Sequence, residues 1–156
     1  MNDTPVLSER RPEGAALRVE GLGLQIGGAT ILKDVDLDIA PGSLVGVIGP
    51  NGAGKTTLFN AISGVIRPTA GRILLDEPMA GVASGDVAGL VENIREMQRA
   101  SGCTVLMVEH HIDVLMGLVD LVAVMYFGTI IALDTPQNIM ENPTVQSAYL
   151  GTGATA

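Results

Sequence analysis

The sequence predicts an α/β fold: a parallel sheet flanked by helices, with a small antiparallel β part on its N-terminal side. Three observations predict it. Residues 44–48 (LVGVI) and 104–108 (TVLMV) are short, nearly continuous apolar runs, the pattern of strands covered on both faces. Over residues 87–97, Val87, Leu90, Val91, Ile94 and Met97 fall at helical spacing, with Glu92, Arg95 and Glu96 outward. A glycine-rich loop separates the first apolar run from a second helical stretch. Buried strands alternating with amphipathic helices assemble as a parallel sheet with helical crossovers.

Along the chain, residues 1–15 lack hydrophobic periodicity and read as a flexible tail, which leaves 16–156 as a single domain. Residues 17–20 alternate as a strand should. Residues 31–39 (ILKDVDLDI) alternate for longer, with Val35, Leu37 and Ile39 on one face and Asp34, Asp36 and Asp38 on the other, an antiparallel strand with one wet face. Pro41-Gly42 turns the chain into the run 44–48. A helix is expected over 55–66, ended by the region of Pro68 and Gly71, and a short strand over 73–75. Gly102 ends the helix over 87–97. Residues 112–118 read as a helix, and 121–125 with 129–133 as a hairpin around Gly128. Thr135-Pro136 supplies an N-cap and a first-turn proline for a last helix.

Composition excludes several classes. With 156 residues, 47% apolar and 17% charged, the chain is long and apolar enough for one real core and is not disordered. A net charge of −8 excludes an undirected electrostatic grip on nucleic acid, and two Phe, two Tyr and no Trp are too few for a base-stacking platform. A single cysteine, Cys103, excludes an intrachain disulfide framework and a cysteine zinc cluster, which suits a reducing cytoplasm. Residues 114–132 are apolar enough to imitate a membrane span. Against insertion, Asp120 near the middle costs about 3 kcal/mol, no basic residue flanks the run, and Gly117 and Gly128 break it. After Arg10-Arg11 comes Pro-Glu-Gly rather than an apolar stretch, so no signal peptide is read and a cytoplasmic location is expected.

Residues 49–56 (GPNGAGKT) fit the phosphate-binding pattern G-x-x-x-x-G-K-[ST] at every fixed position, between a buried strand and a helix. Gly49, Gly52 and Gly54 let the backbone curl so that successive N–H groups face one anion, and the helix N-terminus adds to that field. Lys55 is expected on the β- and γ-phosphates and the Thr56 hydroxyl on Mg²⁺. Asp76-Glu77 follows the apolar residues 73–75, and open α/β sheets bind ligands at the carboxyl ends of their strands. There Asp76 would hold Mg²⁺ and Glu77 would act as general base on water, the alternative being a helix-capping or solvated turn. His110 and His111 follow the strand 104–108, and one of them is expected to face the same crevice.

These residues together resemble the ATP-binding subunits of ABC transporters. GPNGAGKTTL (49–58) is similar to their Walker A motif, LLDEP (74–78) to their Walker B with its catalytic glutamate, and residues 104–120 to their switch-histidine region. DEPMAGV (76–82), VEHHIDVLMGL (108–118) and ENPTVQSAYLG (141–151) resemble most the ATPase subunits of branched-chain amino acid importers. The resemblance implies a phosphate-loop NTPase core that binds ATP and Mg²⁺. It implies nucleotide contacts from Gly49, Asn51, Gly52, Ala53, Gly54, Lys55, Thr56 and Thr57, and metal contacts from Thr56 and Asp76. Glu77 and His110 would be catalytic, the pattern choosing His110 over His111. It also implies a full-length ABC ATPase subunit and transmembrane permease subunits as partners, without direct membrane insertion.

Three departures stand out. Lys55 and Asp76 lie only 21 residues apart, whereas the family's interval holds a glutamine-loop strand, a helical subdomain and a signature motif, so the domain is expected to be truncated. GRILLDEP (71–78) resembles two family segments run together, which would leave 73–75 as the exposed edge beside the histidine strand. Ile26 stands where the family carries an adenine-stacking aromatic, and Ala83 near where it carries an acidic or amide residue of the D-loop. An ATPase subunit functional only with a complete partner is expected, the alternative being a catalytically dead nucleotide-binding remnant or interaction module.

Overall fold

The computed structural model describes residues 16–75, 79–82 and 91–150. The expected tail over 1–15, the pair Asp76-Glu77 and the D-loop residue Ala83 lie outside these. Two sheets form the frame. The strands β1 (Leu17–Ile26), β2 (Ala29–Ile39) and β4 (Ala70–Leu75) make an antiparallel sheet in the order β2-β1-β4. A five-stranded sheet has the order β5-β6-β3-β7-β8, from β3 (Leu44–Ile48), β5 (Met79–Val82), β6 (Thr104–Val108), β7 (Leu121–Tyr126) and β8 (Thr129–Asp134). In it β5, β6, β3 and β7 run parallel and β8 returns antiparallel.

Hydrophobic patterning explains the layering. In β2, Val35, Leu37 and Ile39 are buried while Asp34, Asp36 and Asp38 face water. Every residue of β3 and β6 is buried, so their alternate side chains feed two cores. Val45, Val47, Leu106 and Val108 pack with the antiparallel sheet and with Leu58 and Ala61 of α1 (Lys55–Ile62). Leu44, Ile48, Val105 and Met107 pack on the other face. That face is covered by α2 (Val91–Ser101), α3 (Ile112–Leu118), α4 (Pro136–Glu141) and α5 (Pro143–Leu150), through Ile94, Leu115, Ile139 and Val145. The Thr135 hydroxyl caps α4 by accepting from the Asn138 N–H, as its sequence predicts.

Residues 114–132 divide among α3, β7 and the start of β8, and no described helix is long and apolar enough to cross a membrane.

Three expectations need correction. Helix α1 ends at Ile62, not near residue 66, because Gly64 takes a left-handed φ of 79° and its N–H turns back to the Ala61 carbonyl. On α2 the polar Gln98 is buried and Met97 is 46% exposed. The Gln98 amide donates to the carbonyl of Gly42 at 2.6 Å, a partner from a distant turn that helical periodicity cannot reveal. The third correction concerns the strand before Asp76. Residues 73–75 belong to β4 and pair antiparallel with β1, Val19 opposite Ile73 and Leu17 opposite Leu75. An ion pair between Arg72 and Glu20 and the bond from the Thr69 N–H to the Gly23 carbonyl hold that pairing. The place beside the histidine strand β6 is taken by β5. Residues 73–75 are therefore an edge, but of the antiparallel sheet.

Candidate functional site: the loop between β3 and α1

The loop 49–54 leaves the carboxyl end of β3 and opens into α1 at Gly54, whose φ of 98° is left-handed. Within it the Ala53 N–H donates to the Pro50 carbonyl at 3.1 Å. The β7–β8 turn clamps the loop from one side: the Gly128 N–H donates to the Ala53 carbonyl at 2.9 Å, and the Gly128 carbonyl accepts from the Lys33 N–H of β2 at 2.8 Å. Asn51, Gly52 and Thr56 are exposed and Thr57 is half-buried. Lys55 is 5% exposed, folded back so that its ammonium donates to the carbonyls of Gly49 and of Pro50, the latter at 3.1 Å. Burial holds its pKa below the ordinary lysine value.

Beside this loop lies the end of β6. The register sets Val47 opposite Val108, so Glu109 stands level with Ile48, one residue before the loop begins. A cleft of about 390 Å³ opens there, lined by Gly49, Pro50, Asn51, Glu109, His110 and Tyr149 among others. His110 lines it. The His111 ring is 72% exposed and turns instead to the Glu109 carboxylate, with Nδ1 2.9 Å from Oε1. Burial pushes the Tyr149 phenol up to about 12.

Glu109 is a site residue that the motifs do not mark. It is 2% exposed, and its Oε1 accepts the N–H groups of His110 and His111 at 2.9 and 3.0 Å. Burial pushes its carboxyl up, but these bonds and the His111 imidazole outweigh that and hold the pKa below the ordinary glutamate value. The group is therefore ionised at neutral pH. An acidic residue at the end of a continuously apolar strand was its available signal.

The structure brings the loop, Lys55, Thr56 and His110 to one end of the sheet. The described neighbours of Asp76 and Glu77 stand at the other end. Leu17 pairs with both Ile39 and Leu75, and Ile39 leads through a short turn into the first residue of β3. Met79 pairs with Thr104, the first residue of β6. At about 3.3 Å per strand residue, Leu75 and Met79 are roughly 15 Å from the glycine loop along the sheet. Ile26, at the tip of β1, is 53% exposed. Among the described residues no group of three His, Cys, Asp or Glu could hold a metal ion.

A parallel sheet whose central strand runs through a glycine loop into a helix defines a phosphate-loop nucleotide-binding fold. Within that class the ABC transporter family profile matches residues 32–114, more than half of the chain. The chain belongs to the ABC transporter family as an ATP-binding domain. It is 48% identical over 87 residues to the cytochrome c biogenesis ATP-binding export protein CcmA of Maricaulis maris, covering 55% of this chain and 40% of that protein. It is 38% identical over 108 residues to the high-affinity branched-chain amino acid transport ATP-binding protein LivG of Escherichia coli, covering 65% of this chain and 42% of LivG. The chain thus spans less than half the length of these relatives. A nucleotide-free ATP-binding cassette from an ABC transporter superposes with a TM-score of 0.79 at 18% identity, covering 86% of this chain and 98% of that one. A hemin import and a cytochrome c biogenesis export ATP-binding protein both stand among the relatives, so the family is shared and the cargo is not.

Proposed function

We propose that this chain binds Mg·ATP at the loop 49–57 and serves as the ATP-hydrolysing part of an ABC importer for branched-chain amino acids. The observation that carries the nucleotide reading is the loop itself, clamped by Gly128 and opening into α1 with Lys55 folded across it. Gly49, Asn51, Gly52, Ala53, Gly54, Lys55, Thr56 and Thr57 would contact the nucleotide. For a phosphate to take the Lys55 ammonium, that group would exchange its carbonyl partners for a charged one, a stronger bond. Likeness to LivG and the motifs over 76–82, 108–118 and 141–151 support the importer assignment. As a cofactor, Mg²⁺ would neutralise charge that develops on the transferring phosphoryl group.

In this proposal residues 16–156 are one domain that lacks the family's glutamine loop, helical subdomain and signature, and residues 1–15 are a tail. The short interval between Lys55 and Asp76 supports the truncation. Thr56 and Asp76 would hold the metal, and Glu77 and His110 would act in hydrolysis. Position in the cleft supports His110 and the start of α1 supports Thr56. For Asp76 and Glu77 the support is the pattern LLDEP alone. A full-length ATPase subunit would have to supply the signature, permease subunits would be the membrane partners, and the chain would lie at the inner face of the plasma membrane. The position of Leu75 and Met79 at the far end of the sheet favours a second proposal for the isolated chain, a nucleotide-binding module that turns over very slowly.

Calorimetric titration with Mg·ATP tests the proposal. Lys55→Ala is expected to remove most of the binding, and equal affinity in both proteins would refute the phosphate-loop assignment. ATP turnover is expected to be very slow for the pure chain and faster with a full-length partner subunit, the increase disappearing in Glu77→Gln. Robust turnover by the pure chain, lost in Glu77→Gln, would refute the truncated reading.

A further inference from the structure

We infer that Glu109 is a further carboxylate that faces the magnesium ion of the bound nucleotide in this chain, directly or through one water. The inference rests on the nucleotide-binding proposal above and adds to it a residue that neither the Walker motifs nor the switch histidine includes. Three observations carry it. The Glu109 side chain is 2% exposed, and while Oε1 takes two N–H groups and the His111 ring, Oε2 is buried with no hydrogen-bond partner among the described residues. Leaving such an oxygen of an ionised group alone is costly, so an ion or water is the expected complement. Its strand is the parallel neighbour of β3, and Glu109 shares one cleft with Gly49, Pro50, Asn51 and His110. No described lysine or arginine pairs with it; the Lys55 ammonium is engaged by the loop carbonyls.

Charge decides what the complement is. A carboxylate beside the site of a triphosphate repels it, and the repulsion becomes attraction only if a cation lies between the two. Mg²⁺ fits that place, since it takes carboxylate, phosphate and water oxygens together. Thr56, exposed in the first turn of α1, would add its hydroxyl to the same ion. Among the described residues, Glu109 is the buried carboxylate at this end of the sheet.

Calorimetry of ATP binding by the full chain, in Mg²⁺ and in EDTA, tests this. For the unaltered chain Mg²⁺ is expected to tighten ATP binding. In Glu109→Gln, which keeps an oxygen for the two N–H groups, that enhancement is expected to fall at least about tenfold, the lower range for losing even an outer-shell metal partner. Affinity in EDTA is expected to hold or rise. An enhancement unchanged in Glu109→Gln would overturn the inference and leave an ordered water as the complement of Oε2. Failure of the unaltered chain to bind ATP in either condition would overturn the nucleotide proposal and this one with it. A readout without substitution uses the two histidines, 110 and 111, that flank the site. Mn²⁺·ATP is expected to broaden their imidazole proton resonances, and unbroadened signals under saturating Mn²⁺·ATP would overturn the inference.

Discussion

Replacing Gly128 by alanine separates the glycine loop's clamp from ordinary hairpin strain. Gly128 has a φ of 78°, and an added Cβ would lie 2.2 Å from the Ile31 carbonyl oxygen and 3.0 Å from its carbon. Both are backbone atoms of β2, so no side chain can swing away. The left-handed conformation alone costs an L-residue about 1–2 kcal/mol. Relieving the contact must move the turn, which loosens the bonds from Gly128 N–H to Ala53 and from Lys33 N–H to Gly128. At about 0.5–1.5 kcal/mol each, their loss brings the total to about 2–5 kcal/mol. For a domain of this size that lowers Tm by about 5–15 °C. Gly64 is the control: its φ of 79° is nearly the same, and an added Cβ would meet nothing within 4 Å. Gly64→Ala is expected to cost only the conformational part. Thermal unfolding followed by circular dichroism, with urea titration for free energies, compares the two. Equal losses would refute the clamp. Weaker Mg·ATP binding in Gly128→Ala at temperatures where it remains folded is the accompanying functional outcome, because the Ala53 carbonyl loses its donor.

Asp120 accepts the Leu44 N–H at 2.9 Å and the Arg95 guanidinium at 3.0 Å. Burial pushes its carboxyl up, but these partners outweigh it and hold the pKa below the ordinary aspartate value. Its contribution is therefore present above about pH 4 and lost as pH falls through the folded value. Because the side chain is 43% exposed, Asp120→Asn is expected to cost no more than about 1 kcal/mol at pH 7 and less at pH 3. Urea midpoints that differ equally at both pH values would refute this. Gln98→Leu removes the donor to the Gly42 carbonyl and is expected to destabilise by about 1–3 kcal/mol; an unchanged urea midpoint would show that burial compensates. With Ile26 where an aromatic would grip adenine, ATP and GTP are expected to compete on nearly equal terms in equilibrium binding. A strong ATP preference would mean another residue reads the base.

Much of the fold was legible because its signals are local. Alternation in residues 31–39 marked a strand with one wet face, and continuous apolarity in β3 and β6 marked strands with none. Helix α3 and the cap of α4 were read where they stand, because a buried stripe and a Thr-Pro start are written in neighbouring residues. The glycine loop was legible for the same reason: a phosphate cradle is built from consecutive backbone groups, so its chemistry is contiguous in sequence. Asp120 was read only as an obstacle to membrane insertion. Its bonds to Leu44 and Arg95 join segments 76 and 25 residues away, which no local pattern shows.

By itself, the sequence determined the α/β class, the two-faced burial of the central strands, and the loop with Lys55 and Thr56 at the start of a helix. These depend on periodicity and on steric and hydrogen-bonding rules that act within a few residues. Only the tertiary structure decided which sheet each short apolar strand joins. Residues 73–75 satisfy an edge of either sheet by composition. Their antiparallel register with β1 is set by Glu20 opposite Arg72, by the return of the chain at Thr69 and by the pairing of Leu17 with Leu75. That choice leaves the described neighbours of Asp76 at one end of the sheet, while the end of β6 brings Glu109 to the other. Strand partnership is a contest between distant segments for the same hydrogen-bonding edge, and its outcome depends on contacts that exist only once the chain has closed.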